Sequence, residues 1–129
     1  SQHWIVTTKG KLIGAARLSI HDRLEAIPDI DWFGDDAQNF GLPVVSFNRL
    51  VVDQEYRGRG IARQLDGIRL ADAEKRGAKH VAVIAVKPSR VDALQALGFH
   101  ILKELPKGHG LMVPETPHST MLYTYPQNA

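Results

Sequence analysis

One segment limits what this 129-residue chain can fold into more than any other: Leu50-Val51-Val52-Asp53-Gln54-Glu55-Tyr56-Arg57-Gly58-Arg59-Gly60-Ile61-Ala62. The β-branched, apolar run from Val44 to Val52 reads as a strand. A charged loop with two glycines follows. Ile61, Leu65 and Ile68, with Ala62 beside them, then fall at helical spacing, and Gly77 is placed to stop the helix. A strand that passes through a short glycine loop straight into a helix calls for an α/β layer structure. The first turn of such a helix has unpaired N–H groups and a partial positive charge, so it can hold a phosphate. Gly58 and Gly60 carry no Cβ to obstruct an anion, and Arg57, Arg59 and Arg63 add positive charge. The segment therefore reads as a pyrophosphate site. It has no Gly-Lys-Ser/Thr, and its glycine spacing is not that of a dinucleotide fingerprint. Taken alone, a basic turn on a solvated surface explains it equally well.

The flanking sequence supplies more strands and one more helix. Trp4 to Thr8 and Lys11 to Ile20 read as a hairpin around Lys9-Gly10, with Gly14 marking a bulge or a close backbone approach. Residues 22 to 43 lose periodicity and read as a long connection. His80 to Val86 reads as a buried parallel strand. Ser89 with Asp92 suggests a capped helix that stops at Gly98. Phe99 to Leu105 and Thr120 to Tyr125 read as final strands, separated by a Pro- and Gly-rich loop from 106 to 117. The fold class is α/β with a mixed sheet, in a single domain over residues 1–129.

Composition removes several function classes. With no cysteine there is no disulfide framework, no thiolate nucleophile and no Cys-based zinc site, and no metal is expected. The net charge of +2 lacks the basic stripe of a nucleic-acid binder. No apolar run approaches the ~18 residues that span a bilayer, and nothing at the start resembles a secretion signal, so a cytoplasmic protein is expected. Charge is unevenly spread. Residues 22–36 carry −5, leaving +7 on the remainder.

Arg57-x-x-Gly60-x-Ala62, placed between an apolar strand and an amphipathic helix, resembles the acyl-CoA motif of the GNAT N-acetyltransferase superfamily. Ala93-Leu94-Gln95-Ala96-Leu97-Gly98-Phe99 is similar to that family's helix end, which closes on Gly-Phe. The likeness runs from about residue 4 to 125 and is strongest from 46 to 99. It implies a mixed, mostly antiparallel sheet flanked by helices and splayed between the motif strand and the next. The N-terminal strand and helices usual in the family would be missing. It further implies that Leu50, Val51 and Val52 bond the pantetheine of acetyl-CoA as an added strand would. The N–H groups of Gly58, Arg59, Gly60, Ile61, Ala62 and Arg63 would cradle the pyrophosphate. The reaction implied is acetyl transfer to a small-molecule or protein amine, and homodimers are common in the family.

The family's usual acid and base do not carry over. The tyrosine that often protonates the departing thiolate is Leu94 here, an asparagine seven residues earlier is Lys87, and a glutamate base falls at Ala82. Direct attack in a ternary complex remains open to the chain, since positioning supplies much of the rate. Substitute catalytic candidates are His21, His118, Tyr123 and Tyr125, with Asp22 and His109 nearby in sequence. Arg17 and Arg49 interrupt apolar strands, where an unpaired cation is costly, so they either pair with the acidic connection or bind an acceptor carboxylate. Asp29, Asp31, Asp35 and Asp36 would favour a cationic acceptor, or form a solvated loop. Two alternatives stand beside the acetyltransferase: an acyl-homoserine-lactone-synthase-like enzyme, and a CoA-binding regulatory module without catalysis.

Overall fold

A computed structural model describes residues 2–105 and 118–126 of the chain. Strand β1 (Gln2–Thr8) and strand β2 (Lys11–His21) form the expected hairpin. Lys9 and Gly10 both take positive φ, the two-residue turn whose twist matches the strands it joins. Gly14 sits beside a slip in the β1–β2 register, and a Cβ there would lie 3.3 Å from the Ile61 side chain. Its absence lets the central helix approach the sheet.

β2 pairs antiparallel with β3 (Val44–Val52), and helix α1 (Ile61–Lys75) returns the chain to β4 (His80–Ala85), parallel to β3. Helix α2 (Pro88–Leu97), β5 (His100–Leu105) and β6 (His118–Thr124) complete a mixed sheet of order β1-β2-β3-β4-β6-β5. Every neighbouring pair except β3–β4 is antiparallel. β3 and β4 are paired only at Val44–His80, Val45–Val81 and Ser46–Ala82. From Phe47 to Val52, β3 has no strand partner on that side among the described residues, so the sheet opens into a wedge.

Both helices cover one face. Leu18, Val45, Phe47, Val81, Val83 and Met121 of the strands pack there with Ala73 of α1 and Leu94 of α2. The stop signals at the helix ends work as expected. Gly77 takes φ +83, its N–H bonds the Glu74 carbonyl, and Ala78 N–H bonds that of Ala73. Gly98 and Phe99 repeat the arrangement on Gln95 and Leu94, which accounts for the Gly-Phe ending.

Three sequence expectations need correction. The first concerns α2, which starts at Pro88 behind Lys87 with no side-chain cap, so Ser89 and Asp92 form no capping box. Proline at the first helical position starts the helix without one. Second, residues 22–43 are the expected long connection, but they have local order and an apolar anchor that the sequence pattern does not show. They form 3₁₀ turns at Leu24–Ala26 and Ile30–Asn39, broken at Gly34. Ile27, Phe33, Ala37 and Phe40 from this segment bury against Val44, Ala82 and Leu122 on the sheet face opposite the helices. Third, Ile68 is not in the core but 46% exposed, whereas Asp66 and Arg69 of the same helix are buried.

The reason for that third reversal is a charged clasp. Arg69 Nη1 donates to the carbonyls of Arg17 (2.9 Å) and Arg49 (3.1 Å), which face each other across β2 and β3. Its Nη2 donates to Asp66 (2.7 Å), and the guanidinium lies 4.1 Å from the Phe47 ring centroid. Asp66 also accepts both outer nitrogens of Arg90, at the start of α2. One aspartate thus ties α1, α2 and two strands together. Breaking a buried pair by removing one partner costs about 3–5 kcal/mol, because the remaining charge is stranded. Asp66→Ala should therefore lose stability of that order in urea unfolding, and an unchanged midpoint would show that the clasp is dispensable.

Candidate active site

The wedge and the loop at its mouth hold most of the expected binding residues. Leu50, Val51 and Val52 pair with Ala16, Ala15 and Gly14 on the β2 side and, among the described residues, have no strand on the other. Their free edge can accept an extended ligand as another strand. The chain then turns through Gln54–Tyr56 and enters α1 at Gly60. Gly58 and Gly60 take φ of +80° and +82°, with open space where a Cβ would be. Here the glycines serve conformation as much as access. Gly60 makes no side-chain cap, and no acidic residue stands in the first turn, so that end of α1 keeps its positive character. Arg57 Nε donates to the Val52 carbonyl (3.3 Å), and Arg59 lies 5.0 Å from the Tyr56 ring centroid. Both remain exposed, as does Arg63. These residues fit a diphosphate with an extended amide-bearing arm.

On the opposite face, a cavity of about 180 Å³ opens where β3 and β4 part. Ser46, Phe47 and Asn48 of β3 face Ala82 and Ile84 of β4 across it, and the 22–43 segment closes it with Ile27, Asp29 and Phe33. Beside it runs a polar ladder. Arg17, Ser19 and His21 alternate on β2, and Ser46 and Asn48 alternate on β3. Arg17 Nε donates to Asn48 Oδ1 (2.9 Å), and Asn48 Nδ2 donates to Ser19 Oγ (3.0 Å) and Ser46 Oγ (3.4 Å). Ser46 Oγ is 2.8 Å from His21 Nε2. Asn48 is also the extra residue of a β-bulge, since Arg17 faces Arg49 while Leu18 faces Phe47. Sequence reasoning missed Ser19, Ser46 and Asn48. The signal was there, as polar residues at alternate positions 17, 19, 21 and 46, 48.

The other candidates are dispersed. Arg17 pairs with Asn48 rather than with the acidic segment, and Arg49 is exposed, with its carbonyl taken by Arg69. Among the described residues neither arginine joins a carboxylate, which corrects the expected pairing. Asp35 is exposed on the second 3₁₀ segment, which also carries Asp36. Tyr123 and Tyr125 pack on the helix face, away from the cavity. Tyr125 donates to the Leu70 carbonyl (2.6 Å), and burial pushes its phenol well above the ordinary value. His118 stands edge-on to Trp32, with centroids 5.5 Å apart. His109 lies outside the described residues. Leu94 is fully buried in the core, so no open pocket waits there for a tyrosine.

The acetyltransferase (GNAT) family profile matches residues 1–99. The chain belongs to this family. No curated protein matches by sequence. Solved structures with the same fold include a ribosomal-protein alanine N-acetyltransferase from Escherichia coli (14% identity, TM-score 0.71, 99% of this chain and 71% of that one). An agmatine N-acetyltransferase in its apo form is similar at 14% identity and TM-score 0.74, over 95% of this chain and 76% of the other. The NatC complex bound to Gag peptide and CoA contains a chain similar at 14% identity and TM-score 0.72, with 96% and 71% covered. Among the described residues, no helix of this GNAT domain is long and apolar enough to cross a membrane.

Burial lowers the pKa of both His21, against the opposing charge of Asp22, and His80. With native values below the unfolded 6.5, the unfolded chain binds more protons once pH falls through that value. The stability held by the neutral rings is therefore present above about pH 6.5 and lost as pH falls. Thermal melts should drop between pH 7.5 and 5.5, with a shallower drop in His21→Gln and His80→Gln. An equal drop in both variants would assign the effect to other groups. Leu94→Tyr should destabilise by roughly 1–3 kcal/mol through overpacking, as read by urea unfolding. A neutral result would reveal unfilled space beside α2.

Proposed function

We propose that this GNAT protein is a cytoplasmic N-acetyltransferase that moves an acetyl group from acetyl-CoA to an amine by direct attack in a ternary complex. The observation that carries this reading is the wedge. β3 and β4 part after Ser46–Ala82, the α1 N-terminus stands uncapped at the far end of β3, and the 180 Å³ cavity meets the wedge from the other face. A CoA thioester laid along β3, with its diphosphate on residues 58–63, would bring its acyl end to that cavity. An amine held among Ser46, Asn48 and Asp29 could then reach the carbonyl carbon.

The chain's own groups supply binding and orientation. The free β3 edge fixes the thioester arm, the α1 N-terminus and its arginines hold the diphosphate, and the acidic 22–36 segment draws a cationic amine. The sequence contains no cysteine, so acyl transfer through a cysteine thioester is closed to it. Structural relatives include proteins named for an amine acceptor or solved with a peptide and CoA, which supports an amine-bearing small molecule or peptide as acceptor.

Calorimetry should detect acetyl-CoA binding to the wild type. Gly60→Glu, which sets bulk and negative charge at a position of φ +82, should weaken it at least a hundredfold while circular dichroism stays unchanged. Undiminished affinity in the variant would refute the loop as the diphosphate site. A thioester-consumption screen over small amines, diamines and short peptides then tests catalysis. Binding without turnover of any acceptor would favour the non-catalytic CoA-binding module instead.

A further inference from the structure

Resting on the acetyl-transfer reading above, we infer that Ser46 and His21 form the route by which the attacking amine loses its proton. The inference comes from the direction of the polar ladder. An arginine side chain can only donate, so the Arg17 Nε bond at 2.9 Å fixes Oδ1 of Asn48 as acceptor and turns its Nδ2 toward Ser19 and Ser46. Ser46 Oγ accepts from that amide at 3.4 Å, and its own proton can go to His21 Nε2 at 2.8 Å when the ring carries its proton on Nδ1. The ladder is directed from a permanent cation as far as Ser46, and in the Nδ1-protonated tautomer of His21 it ends on an imidazole nitrogen that accepts.

Location gives the ladder a use. Ser46 is buried, lines the cavity, and is the last β3 residue paired with β4 before the wedge opens. His21 lies behind it at the end of β2, half-buried, beside exposed Asp22. Arg17, Asp22 and Asp29 are the charged groups placed around the pair, on β2, at its end and on the cavity wall. A neutral ring is favoured there, since burial lowers the basicity of His21.

The step balances as follows. An acceptor that arrives as an ammonium first gives one proton to solvent; the neutral amine nitrogen then forms a bond to the acetyl carbon, and the carbon–sulfur bond breaks with its electron pair leaving on sulfur. One amine N–H proton passes to Ser46 Oγ as the Ser46 hydroxyl proton passes to His21 Nε2. The imidazolium then releases its Nδ1 proton toward Asp22 and solvent, and solvent protonates the thiolate. Ser46 touches the amine and is the catalytic residue of the pair. His21 acts through it and is a positioning residue that also accepts the proton.

The test uses the full chain, acetyl-CoA, and the fastest acceptor from the amine screen. Ser46→Ala and His21→Gln should each lower kcat by about 10²-fold or more with KM for acetyl-CoA unchanged, as removing a general base does. The double variant should be no more than twofold worse than either single, because the two groups act in series. Ser46→Thr keeps the hydroxyl and should retain activity within a few fold. The His21→Gln deficit should shrink as pH rises toward 9.5, where hydroxide takes over proton removal. Wild-type turnover that survives both single changes, or deficits that multiply in the double variant and do not vary with pH, would overturn the relay alone. A wild type that acetylates none of the amines would overturn the acetyl-transfer reading and the relay with it.

Discussion

A buried guanidinium holds this fold together. Arg69 sits in the helix-side core with no exposed surface, where an unpaired cation would be intolerable. Three acceptors make its burial possible: Asp66 on its own helix and the carbonyls of Arg17 and Arg49. Those two carbonyls lie at the β-bulge, where the extra residue Asn48 disturbs the β2–β3 ladder. The clasp therefore stabilises a defect in the sheet rather than a regular part of it. Asp66 extends the same network to Arg90 on α2, so the two helices that flank the wedge are tied through one carboxylate.

That defect is also where the sheet changes character. On one side of it, β3 is an ordinary central strand, bonded to β2 and, through Ser46, to β4. On the other, it becomes an edge inside the sheet, with no strand beside it among the described residues. An internal edge is normally covered or filled, because unpaired backbone groups attract another strand. Here it leads straight to the uncapped start of α1. The bulge, the wedge and the anion-favouring helix end are consecutive on the chain, within Phe47 to Arg63.

The face opposite the helices is built differently. Residues 22–43 cover it with short 3₁₀ turns whose apolar side chains, Ile27, Phe33 and Phe40, anchor a segment that is otherwise acidic. Their 3.0-residue period differs from the helical and strand periods that sequence patterning detects, so the segment looks featureless in sequence. The Asp66–Arg69 pair was hidden for a related reason. Charged residues on an amphipathic helix are read as its solvent side, and only the partners brought in by β2, β3 and α2 turn that stripe inward.

The sequence by itself determined the strands, the two helices with their glycine stops, and the loop from Arg57 to Arg63. Each is a local matter of side-chain period, backbone permissiveness and the unpaired amides of a helix start. Tertiary structure decided which face each polar residue serves. Arg17, Ser19, His21, Ser46 and Asn48 become one ladder only once β2 and β3 lie side by side in a register set by the bulge. Arg69 becomes a core residue only once carbonyls from distant strands converge on it. Such contacts join residues some 20 to 50 positions apart, and no local periodicity encodes a hydrogen bond across that distance.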